Sequence, residues 1–310
     1  MSLATRDGFG HELVDLGRKN NNILVLSADL SKATRTNAFQ ENFHERFFEC
    51  GIAECNAIGI ASGLSENGFY PIFSSFASFL TGKYDVIRVS AAYSNSSMLL
   101  VGTHSGMAIG KDGVTQMGLE DISLMRSLPN MKVYQPATYN QCREMMKLIV
   151  HQSGPSYLRL GRQPIDELFN TEENLTLGKI QEVKVDEQSE ICFVSSGCVL
   201  NDVLGACEIL KLSGYKTTVL NVHTIKPFDK KTLLKHARKN KVFITVEDHS
   251  VIGGVGSVVC EVLSENMPKK VTRIGLLDIF PESGDPKDLY VKYKLDSKGI
   301  AERVLNDISQ

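Results

Sequence analysis

The sequence predicts an α/β protein of two domains: a doubly wound parallel-sheet domain, then a smaller α/β domain with a mostly parallel sheet. Three observations predict it. Short unbroken apolar runs alternate with stretches of helical length, the pattern of a parallel sheet covered on both faces. That alternation is interrupted by a polar stretch and then resumes. The length, 310 residues, suits two domains with ample core in each.

The first domain is read as residues 1–170. Its buried strands are expected at 23–27 (ILVLS), 70–73 (YPIF), 98–102 (MLLVG) and 132–135 (KVYQ). Helices are expected near 8–19, 53–67, 79–92, 118–128 and 138–151, and an apparent strand precedes Arg162. Residues 171–188 are polar and read as the linker. The second domain, 189–310, starts a new alternation. Strands are expected at 191–196, 216–221, 242–246 and 271–275, with helices near 200–213, 229–239 and, after a glycine-rich turn, 255–265.

Composition narrows the function. Hydrophobic residues make up 42% and charged residues 23%, with a net charge of −2, an ordinary soluble profile without the basic footprint of nucleic-acid or anionic-membrane binding. No apolar run approaches the roughly 20 residues that span a bilayer. The N-terminal MSLATRDGFG lacks the apolar core of a signal peptide. The seven cysteines are odd in number and include no CxxC pair, so neither a disulfide framework nor a zinc site is expected, and a reducing cytoplasm is the expected location.

Ligands of open α/β sheets bind at strand ends and the loops that follow. Glu54 opens the apolar helical run after Gly51-Ile52-Ala53. An acid there can simply favour the helix dipole, but its apolar neighbours suggest a poorly solvated carboxylate. Phe76 and Phe79, with Tyr84 beyond, read either as core or as a stacking platform for a flat heterocycle. The segment 102–116 is a polar, glycine-rich loop after a strand. Its His104, Asp112 and Gln116 form a plausible sugar-handling set, although Asp112-Gly113 also suits a simple turn. Arg6 and Arg162 stand at segment ends, where arginine suits bidentate phosphate recognition or a surface salt bridge. Gly253-Gly254-Val255-Gly256 follows a strand, but such a motif more often serves tight strand–helix packing than nucleotide binding. His249 beside it is a candidate for orienting loops at a subunit contact.

Set in order, ATRDGFG, SADLS, RFFECGIAECN, YDVIRVS, GTHSGMAIGKDG, LEDISLMRSLPNM, GPSYLRLGRQP, VEDHSVIGGVGS and DIFPESG resemble the C-terminal half of transketolases over nearly the whole chain. The resemblance implies a pyrimidine-binding domain with the thiamine-diphosphate-binding fold, then a transketolase C-terminal domain. It implies that Glu54 hydrogen-bonds the aminopyrimidine of thiamine diphosphate and so helps the cofactor lose its thiazolium C2 proton. Phe76 and Phe79 match aromatics that pack on the pyrimidine. The following family tyrosine falls on Gly82, with Tyr84 close by. Asp29 matches an aspartate near the cofactor and the subunit contact. Arg6 and Arg162 match arginines that grip a sugar phosphate, His104 a histidine in the same channel, and Asp112 an aspartate that reads the acceptor hydroxyl next to the aldehyde. Two positions depart from the family. Gln116 stands where a histidine contacts the donor, and glutamine cannot titrate. Ala33, beside Lys32, replaces a phosphate-binding serine. A modified ketose, such as a sulfo-, deoxy- or branched sugar, is the reading these two suggest.

The GDG motif and later Asn that hold the diphosphate through Mg²⁺ do not occur here. The resemblance therefore implies a partner chain, an N-terminal transketolase subunit that carries the GDG and Asn ligands, in an α2β2 heterotetramer with the cofactor across the interface. The competing readings are the β subunit of a 2-oxo acid dehydrogenase E1 component and a non-catalytic module on the same fold.

Overall fold

The computed structural model describes residues 2–169 and 175–308. The first domain contributes β1 (Ile23–Ser27), β2 (Phe47–Glu49), β3 (Tyr70–Phe76), β4 (Leu99–Thr103), β5 (Lys132–Tyr134) and β6 (Ser156–Arg159). They are all parallel, in the order β5–β6–β4–β3–β1–β2. The chain then forms β7 (Gln181–Lys184), β8 (Ile191–Ser195), β9 (Thr217–Asn221), β10 (Thr224–Lys226), β11 (Val242–Ser250) and β12 (Lys270–Leu276). Five of these make the second sheet, β12–β11–β8–β9–β7, parallel except for β7. The remaining one, β10, leaves its own domain and pairs antiparallel with β5 of the first sheet.

Burial explains why the central strands were visible as apolar runs. Every residue of β1, β3, β4, β8 and β9 is buried. Helices close both faces of the first sheet. Thr5–Lys19 packs with Tyr139–Ile149 over one face, where Phe9, Leu13, Ile72, Val101, Cys142 and Met146 meet. Glu54–Glu66 lies on the other, with Ala57, Ile58 and Ala61 against Leu26, Phe73 and Leu100. Thr138 starts its helix by accepting from Gln141 N, as an N-cap does.

The expectations fail in four places. The helix expected at 79–92 is broken. Ala77–Thr81 is capped at Gly82, a short turn follows at Tyr84–Val86, and Ile87–Tyr93 winds as a wider π-helical turn. Strand β2 has three residues, of which only Phe47 is buried, so it shows no apolar run. The segment read as linker supplies the edge strand β7; its Glu182 and Lys184 are the charged side chains that suit an edge. Residues 170–174 of that segment lie outside the described residues. Strand β10 is held by a partner in the other domain, which no local pattern encodes. No helix among the described residues is long and apolar enough to cross a membrane. All seven cysteines are free.

Candidate active site

Strands β2 and β3 lie on opposite sides of β1, so strand order reverses there and a crevice opens outside the carboxyl ends. The sequence-predicted residues follow those ends one by one. Arg162 comes after β6, His104 after β4, Phe76 and Phe79 at and after β3, Asp29 after β1, and Glu54 after β2. Residues more than a hundred positions apart thus share one edge of one sheet.

Glu54 is the first residue of its helix and 9% exposed. It is not the helix cap; Ala53 holds that position without a side-chain bond. Among the described residues no hydrogen bond or ion pair engages its carboxylate. Its neighbourhood is held by another acid: Glu49 Oε1 accepts from Asp29 N at 2.7 Å and from Gly51 N at 3.0 Å. Asp29 itself is exposed, with φ +60°.

Phe76 and Phe79 stack with centroids 5.1 Å apart and planes at 22°. The His104 ring lies 4.0 Å from that of Phe76. His104 adopts φ +55°, a strained backbone for a non-glycine residue of the kind that gathers at functional sites. Its Nε2 accepts from an Arg6 guanidinium N–H at 2.9 Å, since arginine can only donate. Nδ1 therefore carries the proton and donates to Thr103 Oγ1 at 2.9 Å, which in turn donates to Ser75 O. Burial, together with repulsion from Arg6, Arg162 and Arg35, pushes His104 down to about 3. The imidazole is neutral at every physiological pH.

Arg6 is held against the carbonyl of Ala33 at 3.0 Å, while its Nε is buried with no partner. Burial, then the charge of Arg35 and, after a partial offset from Asp7, that of Arg162, brings it down to about 10, so it remains a cation in a field of cations. Such a group is poised for an anion.

Comparisons with known proteins place the chain in a family. Residues 1–166 match the family model of the transketolase pyrimidine-binding domain, and residues 180–300 that of the transketolase C-terminal domain. The chain belongs to the transketolase family. A Methanocaldococcus jannaschii protein described as a transketolase C-terminal section is 38% identical over 310 residues, with 98% of this chain and 96% of that one covered. A 6-deoxy-6-sulfo-D-fructose transketolase subunit from a Clostridium species is 35% identical over 306 residues, covering 98% and 94%. Human transketolase is 34% identical over 304 residues, but the chain spans only 48% of it. Among solved structures, a split-gene transketolase described as an inactive β4 tetramer superposes with TM-score 0.91 at 39% identity, covering 98% of each chain.

The two positions that the resemblance marked as departures, Gln116 and Ala33, are now placed in this transketolase-family chain. Gln116 ends a short 3₁₀ turn, Val114–Gln116, and is partly exposed. Ala33 offers its backbone carbonyl to Arg6 and has no hydroxyl to give. Arg162 donates to Ile109 O and Asp112 Oδ2, each at 3.3 Å. Both members of that ion pair are well exposed, so it adds little to stability and leaves both free to regroup around a ligand. Tyr84 stands apart from the aromatic pair. Its hydroxyl meets Ser127 Oγ at 2.9 Å and its ring leans on the first domain's core.

Sequence reading missed Arg35. Its Nε donates to Asp7 at 2.7 Å, its φ is +66°, and its charge acts on both Arg6 and His104. The only signal was its place eight residues after the end of β1, in the loop that also carries Ala33. Sequence reading also misplaced His249. That side chain is fully buried, with Nδ1 2.6 Å from Ser250 O and Nε2 3.9 Å from Asp121, inside the chain rather than at a subunit surface. The glycines after it have a packing role. Glu247 Oε2 and Oε1 accept from Val255 N and Gly256 N at 2.7 and 2.9 Å, filling the helix N-terminus that a phosphate would need. A Cβ on Gly254 would lie 2.0 Å from that carboxylate.

Proposed function

We propose that this chain is the C-terminal-half subunit of a two-chain transketolase, moving a two-carbon ketol unit from a ketose to an aldose. The observation that carries the reading is the unspent carboxylate of Glu54, on the same sheet edge as the stacked Phe76–Phe79 pair. This suits a flat heterocycle with a ring nitrogen to bond, so thiamine diphosphate fits the residues present. When bound, the cofactor supplies the carbon nucleophile that takes up the ketol unit. Glu54 holds a proton at the pyrimidine ring nitrogen, Phe76 and Phe79 fix the ring plane, and Asp29 lines the edge beside them. Arg6 and Arg162 bind the anionic end of the sugar, His104 presents a neutral imidazole, and Asp112 reads an acceptor hydroxyl. Gln116 hydrogen-bonds the donor without exchanging protons.

Among the described residues no group of three or more His, Cys, Asp or Glu is placed to hold a metal ion. The proposal assigns Mg²⁺ and the diphosphate to a partner chain bearing GDG and Asn, in an α2β2 assembly in the cytoplasm. Two relatives support a two-chain enzyme: they carry part-enzyme names and are covered almost end to end. Reconstitution with such a partner, followed by a ketol-transfer assay, tests the reading. Transfer should need both chains, and calorimetry of this chain alone should show no tight Mg²⁺-dependent cofactor binding. Tight binding by this chain alone would overturn the half-enzyme assignment.

The donor is proposed to be a ketose with an anionic far end and a modification that accounts for Gln116 and Ala33. One relative's name specifies a sulfonated ketose. Steady-state comparison of xylulose 5-phosphate with 6-deoxy-6-sulfofructose discriminates; high efficiency on xylulose 5-phosphate would sink the modified-donor reading.

A further inference from the structure

The loop that carries Asp112 and Gln116 belongs to the first domain, yet one side of it is built by the second. Met107 N donates to Asp248 Oδ1 at 3.0 Å, and Tyr290 OH donates to Asp248 Oδ2 at 2.7 Å. Asp248 is 7% exposed and lies in β11, the strand of the second sheet that reaches back towards the first domain. Three glycines let the loop come this close. Gly106 (φ +72°) passes so near Asp248 that a Cβ would lie 2.0 Å from Oδ2. Gly110 (φ +74°) packs on Pro286 and Gly284 O, and Gly113 (φ +81°) on Ser283 Oγ.

Packing does not hold the loop on every side. A cavity of ≈ 630 Å³ opens between the domains, lined by Ser105, Ala108, Gln163, Asp248 and Tyr290 among others. The loop backbone therefore has room to shift towards the seam. Met107 and Ile109 anchor the loop through the core beneath it, and on the seam side polar bonds hold its backbone: Met107 N to Asp248, and Gln163 Nε2 to Ala108 O at 2.8 Å. A small misplacement of a substrate-positioning group lowers rate steeply.

We propose that Asp248 is a positioning residue for the sugar-binding side of the site: through the Met107 amide it sets where Asp112 and Gln116 stand, which makes the second domain a working part of the active site. The inference rests on the transketolase reading above for its effect on catalysis, and on geometry alone for its effect on the loop. Tyr290 acts one step further out, by fixing the carboxylate that fixes the amide. Asp248→Ala removes the anchor. Asp248→Asn keeps an oxygen for the Met107 amide, and its NH₂ can donate to the Tyr290 hydroxyl.

The test has two readouts. In the reconstituted two-chain complex, Asp248→Ala should raise KM for donor and acceptor sugars about tenfold or more, the worth of one hydrogen bond to a charged group. Cofactor affinity should stay within about twofold, and Asp248→Asn should recover most of the loss. In the chain by itself, hydrogen exchange of amides 104–116 should quicken about tenfold in Asp248→Ala while the strands of both sheets keep their protection. Should Asp248→Ala fold poorly, Tyr290→Phe gives the same pattern at smaller size. Unchanged loop exchange in these variants would overturn the proposal. So would exchange that rises evenly through the second domain, with no rescue by asparagine, since that is the signature of a merely structural contact. If the wild-type complex shows no ketol transfer, the function reading fails, and loop exchange still decides the role of Asp248.

Discussion

The crevice at the carboxyl edge and the seam between the domains are both rich in buried polar groups, and they use them in opposite ways. In the seam, the hydrogen-bonding capacity of Arg159 and Asp121 is spent inside the chain. Arg159, fully buried, donates through Nε to Asp121 at 2.8 and 3.0 Å, and through a terminal N–H to the carbonyls of Gly118 and Asp248. Tyr157 donates to the same Asp121 at 2.7 Å. In the crevice capacity is left over: Glu54 has no partner among the described residues, and Arg6 Nε is orphaned. Unspent groups cost stability in the free chain, which a ligand that engages them recovers. The ion pair of Arg159 and Asp121 is closed on itself, whereas the charged groups of the crevice, Glu54 and Arg6, keep bonding capacity that faces the site.

That contrast can be broken by variants that move activity in one region and stability in the other. Glu54→Gln should reduce turnover of the reconstituted complex by roughly 10²–10⁴-fold, the usual worth of a positioned proton-transfer group. Its unfolding free energy, from urea titration, should stay within about 0.5 kcal/mol of wild type. Arg159→Met should do the reverse and destabilise the chain by about 3–5 kcal/mol, because Asp121 is left charged and unpaired in the interior. A crevice variant that unfolds the chain, or an Arg159 variant that melts like wild type, would erase the distinction. Arg6→Lys should raise KM for anionic sugars by roughly 10- to 100-fold, since lysine cannot reproduce the guanidinium fork. Neutral analogues should be far less affected.

Acid stability sharpens the comparison further. His249, facing Asp121, Arg159 and Glu247, is pushed down to about 4 by burial. The unfolded chain takes up that proton near pH 6.5, so between the two values the unfolded state binds more protons and the fold weakens as pH falls, by roughly 1.4 kcal/mol per pH unit. Glu247, pushed up to about 7 by burial, has the opposite slope, because there the folded state binds the extra proton. His249→Gln should therefore tilt the slope of stability against pH downwards between about 4.5 and 6.5, relative to wild type, as read from urea unfolding across that range. The smallest effect should be that of Tyr84→Phe, a loss of about 1 kcal/mol or less from the Ser127 contact. Cofactor affinity unchanged in that variant would leave the pyrimidine plane to Phe76 and Phe79; a clear loss would put Tyr84 back beside the ring.

Much of the fold was legible because a parallel sheet buried on both faces writes itself as apolar runs. Strands β1, β3, β4, β8 and β9 are of that kind. Strands β2, β7 and β10 were not legible. Two are short edge pieces with exposed side chains, and the third is defined by a partner in another domain. At the candidate site, Arg6, His104, Asp112, Arg162 and Glu54 were singled out through ordered motifs, and the structure sets them near one sheet edge. Arg35 lies in a left-handed turn whose orientation no motif records. The role of Asp248 was hidden for a different reason: its partner is a backbone amide, and an amide has no side chain to betray it.

The exchange of β10 has a consequence for how the molecule comes apart. Residues 224–226 complete the border of a sheet whose other strands end at residue 159. The first domain emerging from the ribosome is thus one border short until some sixty further residues have been made, and β5 meanwhile offers open amides to any passing strand. A cut in the chain between the domains should not release two halves either, since the C-terminal fragment would still carry β10, the border strand of the first sheet. Such a nick should leave a complex that co-elutes intact and separates only in denaturant.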